Sequence, residues 1–271
     1  MPIRERFQLD KVDGARIGRF DNGFNTTFVI YRIGNTLIDA GPSNQWQFVR
    51  AFADERPVDA LLLTHHHEDH SGNAAAIAKR HNITPYAPAL SDRKLSAGFR
   101  IPPIQRWYWG LPVPVETQPL PAQMTLADGT TIQVIHTPGH AKDLHCLYLP
   151  DEGWLFSADL YIARRLKLLR VDENLTDMIH SITRVLTLDF DVIFCAHRGT
   201  IKDGKQRLTD KRNNLLAFCE QAQTHHAQGL AVDQIVAKML GPDALLTKLT
   251  NYNFSKRNLV TQALRFPLEP S

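Results

Sequence analysis

The chain has 271 residues, 43% of them apolar and 22% charged, with a formal net charge of +3. That is enough apolar material for one large buried core and too small a charge to imply a nucleic-acid partner. No run is long and apolar enough to cross a bilayer, the charged opening MPIRERFQLD is no secretory signal, and Cys146, Cys195 and Cys219 are too few and scattered for a disulfide framework; together these point to the cytoplasm.

Residues Thr27 to Arg32 and Thr36 to Asp39 read as two strands turned at Gly34-Asn35. Asp39 ends the second strand before Gly41 and Pro42, where it either orients a neighbouring loop or bonds its own backbone. A short helix, roughly Gln47 to Ala53, precedes the apolar strand Ala60 to Leu63.

That strand runs into Thr64-His65-His66-His67-Glu68-Asp69-His70, four imidazoles and two carboxylates in seven residues. Neutral imidazole and carboxylate are the donors that divalent cations take, so His65, His67, Asp69 and His70 form a candidate metal site where the backbone turns. The pattern H-x-H-x-D-H would arise by chance in about two of a thousand chains of this composition. His66 and Glu68 alternate with the candidate ligands and are expected behind them or facing solvent. The next helix is expected from Ala74, with Asn73 or Ser71 as its cap, followed by a strand near Ile83 to Ala87; this alternation favours an α/β fold.

Residues 90 to 118 carry Phe99, Trp107, Tyr108 and Trp109 among four prolines, which predicts an aromatic loop, either walling a cleft or packing in the core or against a subunit. The strand Thr130 to Ile135 runs on through His136 to His140. A hairpin around Asp151-Glu152-Gly153 ends at Asp159, an amphipathic helix spans Leu175 to Leu186, and the strand Val192 to Cys195 leads to His197. Five times an apolar strand finishes in a residue suited to ligation: Asp39, His65, His140, Asp159, His197. From about Lys205 the pattern is helical, with Ser255 expected to cap Lys256 to Arg265. From Arg198 onward 11 Lys+Arg stand against 6 Asp+Glu, a hint of an anionic ligand.

In this order and spacing the motifs resemble those of the metallo-β-lactamase superfamily over about residues 25 to 200. The resemblance implies an αβ/βα sandwich, two packed β-sheets with helices outside, as a catalytic domain over 1–204 with a C-terminal helical extension over 205–271. It implies that His65, His67 and His140 hold one divalent cation, that Asp69, His70 and His197 hold a second, and that Asp159 bridges them. Asp39 would stand behind the ligands. The two cations would be zinc, with iron or manganese as alternatives, and the nucleophile a metal-bridging hydroxide. Asp69 would take part in the chemistry by accepting a hydrogen bond from that hydroxide. His145, five residues beyond His140, would act as general acid or serve structure.

Among the superfamily's branches the absence of an export signal and the carboxylate of Asp159 disfavour a secreted β-lactamase, and His67 disfavours the diiron oxygen-reducing branch. The reading that remains is glyoxalase II-like: hydrolysis of a thioester, lactone or other ester in a small molecule, with an anionic group for which Arg198 is a candidate partner. The alternatives are a small metal-dependent RNase or phosphodiesterase, a single-iron persulfide dioxygenase, and a non-catalytic module binding metal or nucleic acid. No oligomeric state follows.

Overall fold

The computed structural model describes residues 3–20, 26–242, 247 and 252–268. Two β-sheets pack face to face. The first has seven strands in chain order: β1 (Glu5–Leu9), β2 (Val12–Ile17), β3 (Phe28–Ile33), β4 (Thr36–Ile38), β5 (Ala60–Leu62), β6 (Tyr86–Ala87) and β7 (Gln118–Pro119). It is antiparallel from β1 to β4 and parallel from β4 to β7. The second contains β8 (Gln123–Thr125), β9 (Thr131–His136), β10 (His145–Leu149), β11 (Trp154–Ala158), β13 (Val192–Cys195) and β14 (Gly199–Ile201), ordered β14-β13-β11-β10-β9-β8. A two-stranded ribbon joins β12 (Leu169–Arg170) to β15 (Phe254–Ser255).

Side chains alternate across a strand, so the central strands serve two cores. Val29, Tyr31 and Ile33 of β3 meet Leu147, Leu149, Phe156 and Phe194 between the sheets. Phe28 and Ile30 point outward, onto a layer with Val49 and Phe52 of α1 (Trp46–Ala53) and Ile77 of α3 (Ala74–His81). Cys146, Tyr148, Leu155, Ile193 and Cys195 point out on the other side, under α6 (Leu175–Val185), α7 (Gly204–Ala227), α8 (Val232–Leu240) and a final helix, Lys256–Ala263. The C-terminal helices thus share one apolar cluster with the second sheet and α6. Helix, sheet, sheet, helix is the sandwich the motifs implied, and Ser255 caps the final helix as expected, accepting from Asn258 N at 3.0 Å.

Several local expectations change. Strand β1, largely polar and exposed, and strand β2, where polar and apolar residues mix on both faces, carry no clear signal in the sequence. The proline-rich segment is not all loop: it forms α4 (Asp92–Ala97) and α5 (Pro103–Trp109). Pro103 starts α5, where its missing N–H has no partner to lose. Asn73 precedes α3 but does not cap it with its side chain; its Nδ2 donates instead to the carbonyls of Ala40, Gly41 and Pro42 at 3.0, 3.1 and 2.8 Å. That clamp ties the loop after β4 to the loop after β5.

Register brings strand ends level. In the parallel β4/β5 pair Ile38 faces Leu62, so Asp39 and Thr64 emerge on one rim. In the parallel β11/β13 pair Ala158 faces Cys195, so Asp159 and His197 emerge together. His145 N donates to Thr64 O at 3.0 Å and joins the two rims.

Candidate metal centre

The segment His65 to Ser71 is compact because Glu68–Ser71 forms a single helical turn, α2. Gly72 ends it where no side chain fits: a Cβ there would lie 2.5 Å from Glu68 O, Gly41 O and Ser43 N. Asp39 Oδ1 accepts from Thr64 N at 2.8 Å and Asp39 Oδ2 lies 2.7 Å from His70 Nδ1. Asp39 therefore orients the segment, as one of its two readings required.

His140 reaches the same place from the β9–β10 loop, four residues past the strand end, not at the end itself. Gly139 allows this with a φ of +141° and with no room for a side chain, since a Cβ would meet Met178 Cα at 2.5 Å. Asp159 follows Ala158, which adopts a left-handed φ of 42°.

Two donor groups result. The ligand-type atoms of His65, His67, His140 and Asp159 lie within 4.8 Å of one another, and so do those of Asp69, His70 and His197. In the first group His67 Nδ1 lies 2.9 Å from His65 Nε2 and 3.0 Å from His140 Nε2. Asp159 faces both groups: Oδ2 is 3.0 Å from His140 Nε2, and Oδ1 is 3.3 Å from both His70 Nε2 and His197 Nε2. Asp69 Oδ2 stands 3.6 Å from His197 Nε2. All seven residues named for ligation converge, six of them buried and His140 partly so.

The donors suit divalent cations. His70 Nε2 and Asp159 Oδ1 are buried and face each other at 3.3 Å without a hydrogen bond of good geometry, which leaves both as donor atoms a cation could take up. Burial, with neighbouring imidazoles, pushes His65 and His67 well below the usual histidine pKa, keeping them neutral donors. For His140 burial works against the charged form, but Asp159 and Glu173 outweigh it and raise the pKa to about 9. Burial would raise the Asp159 pKa; the charges of His197, His70 and His140 instead hold it well below the carboxylate range. Buried anions and imidazoles thus already compensate one another, and a cation would take the place of protons.

His145 stands apart from this convergence. Its Nδ1 donates to Asp143 O at 2.9 Å and its ring packs on His136, with centroids 4.8 Å apart. His66 and Glu68 are buried, not solvent-facing. His66 Nδ1 lies 2.8 Å from Asp143 Oδ2 and Nε2 lies 2.9 Å from Lys94 Nζ. Arg198 is held by its Nε donating to Ile162 O.

Three participants escaped the sequence reading. Glu173, before α6, accepts from His140 Nδ1 at 2.6 Å. Asp143 supports His66 and lies within the stretch His140 to His145, a position that could have been noticed. Arg170 reaches His67 from the β12 ribbon. Trp109 closes one side: its ring lies 6.4 Å from that of His197, and Asn44 Nδ2 anchors α5 by donating to Tyr108 O at 2.8 Å.

The family model of the Metallo-beta-lactamase superfamily matches residues 22–197, through the last of these ligand-type residues. The chain belongs to that superfamily. It is 26% identical over 229 residues to a Beta-lactamase-like protein 2 homolog of Drosophila melanogaster, an alignment covering 80% of this chain and 75% of that one. It is 28% identical over 187 residues to a Hydroxyacylglutathione hydrolase of Shewanella sp. (strain ANA-3), covering 63% of this chain and 61% of the relative. Among solved structures, a β-lactamase domain protein from Burkholderia ambifaria matches 96% of this chain and 89% of its own with a TM-score of 0.75 at 18% identity, a likeness of fold. The superfamily's members are generally metal-dependent hydrolases, and the donors here are compatible with that chemistry.

Proposed function

We propose that this superfamily member is a dinuclear, glyoxalase II-like hydrolase that cleaves a thioester, lactone or other ester of a small molecule. The observation that carries the reading is Asp159, whose two oxygens face two separate donor groups. His65, His67 and His140 would hold one cation, Asp69, His70 and His197 the other, and Asp159 both, with zinc the metal that suits this nitrogen-rich set best.

Bound there, two divalent cations lower the pKa of a water towards neutrality and polarise a carbonyl oxygen. The chain supplies the rest. Asp69 presents a carboxylate on the second group and accepts a proton or hydrogen bond from the attacking water. Asp39 fixes His70, and Glu173 fixes His140, each by accepting the proton on the nitrogen turned away from the site. Trp109 keeps water off the His197 side and offers an apolar wall to an acyl group. Residues 1–204 would carry the chemistry and 205–271 cover the second sheet.

Metal analysis of the purified protein, combined with hydrolysis of a thioester, a lactone, a phosphodiester and a β-lactam, tests the proposal. Two equivalents of metal with thioester, lactone or ester turnover are expected. A phosphodiester as the preferred substrate would reassign the bond, and one equivalent of iron with oxygen consumption would overturn the hydrolase.

A further inference from the structure

An imidazole can bind a cation through one nitrogen only if its proton rests on the other, so the group behind each ring matters. Four rings have an acceptor there. His70 has Asp39 Oδ2 at 2.7 Å, His140 has Glu173 Oε1 at 2.6 Å, His197 has Thr27 O at 2.9 Å and His65 has the Thr64 hydroxyl at 3.1 Å. His67 has a donor. Its Nε2 lies 3.0 Å from Arg170 Nη2, and a guanidinium cannot accept.

That contact is favourable only when Nε2 is bare and the proton sits on Nδ1. Yet Nδ1 is the nitrogen at the centre of the first group, 2.9 Å from His65 Nε2 and 3.0 Å from His140 Nε2. Ligation through Nδ1 would put the proton on Nε2, donor against donor.

Resting on the metal reading above, we infer that Arg170 is a positioning residue that favours the non-ligating tautomer of His67. It thereby makes the His65/His67/His140 group the weaker and later-filled of the two cation sites. The arginine is built into this place. Its Nε and Nη2 form a two-point pair with Asp172 at 2.7 and 2.6 Å, and its backbone N donates to Glu173 Oε2 at 2.7 Å. Its side chain is only 11% exposed, so water does not readily substitute for it. Glu173 thus supports His140 with one oxygen and the backbone of Arg170 with the other, which places a helping and an opposing influence on the same site. Filling the first site requires the guanidinium to withdraw from His67 while keeping Asp172.

Calorimetric titration of the ion-free full chain with Zn²⁺ tests this, with Arg170→Met, which removes the donor, and Arg170→Gln, which can offer a carbonyl. A His197→Ala background, in which the second group is incomplete, identifies the step belonging to the first. We expect two unequal steps in the wild type, the first-group step tightening about tenfold in both variants and the other unchanged. The ratio of the steps within one protein is insensitive to a partial loss of folded material. Long-range ¹H–¹⁵N spectra should show His67 protonated on Nδ1 without metal and on Nε2 after saturation. An unchanged ratio in both variants, or Nε2 protonation in the ion-free wild type, would overturn the inference. Failure of the wild type to bind any ion at the first group would remove the hydrolase reading and this one with it.

Discussion

Glu173 Oε1 lies 2.6 Å from His140 Nδ1, so a carboxylate 33 residues further along the chain sets the tautomer of an imidazole in the candidate centre. A hydrogen bond of this kind holds a proton on Nδ1 and makes Nε2 the more basic nitrogen, the one a cation would take in exchange for a proton. Replacing Glu173 by Ala should weaken zinc binding about 10–100-fold, read by competition with a chromophoric chelator. The Gln variant should retain part of the affinity, because its amide oxygen still accepts. Equal affinity in all three proteins would mean that Glu173 has no influence on the donor.

Asp69 faces the second group, with Oδ2 3.6 Å from His197 Nε2. Asp69→Ala should abolish turnover and lower the zinc content while leaving the circular dichroism spectrum in place. Full activity in a folded Asp69→Ala protein would refute its assignment.

His145 tests a different point. Its Nδ1 proton is committed to Asp143 O and its ring lies against His136, so we expect His145→Ala to act on the geometry of the rim through Asp143. Its loss should slow esters with good and poor leaving groups by the same factor, within about twofold. A larger drop for the poor leaving groups would restore a general-acid role.

Lys211 on α7 is buried and donates to Leu160 O at 2.6 Å, beside the loop that carries Asp159. Burial lowers its pKa from 10.5 to about 8, the nearby Glu173 and Asp159 carboxylates only partly opposing this. Between about pH 8 and 10.5 the unfolded chain holds a proton there that the folded chain does not, so stability rises with pH in that window. The stability of the wild type relative to Lys211→Met, measured by denaturant titration, should therefore increase from pH 8 to 10.5. A flat difference across that range would show that the amine titrates normally.

The sandwich was legible where strands are buried on both faces. Phe28–Ile33 and Val192–Cys195 are apolar runs with turn residues at their ends, and they formed where expected. Strand β1 was not legible, because Glu5, Arg6 and Gln8 face solvent and only Phe7 and Leu9 pack inward. Helix α5 was hidden by its prolines, since composition alone does not separate a proline that breaks a helix from one that starts it.

For the candidate centre, the sequence by itself determined which residues could serve as donors. Closely spaced imidazoles and carboxylates, each at or near the end of an apolar strand, are a local property, and the period of a β-strand carries them to a rim. Asp39 behind His70 was expected as well, but only the tertiary structure decided what stands behind His140 and His67. Glu173 behind His140 is 33 residues away and Arg170 behind His67 is 103, with no spacing rule to link either pair. The reason is physical: ligand identity is a matter of side-chain chemistry, whereas tautomer and charge depend on hydrogen bonds that exist only once distant segments have packed together.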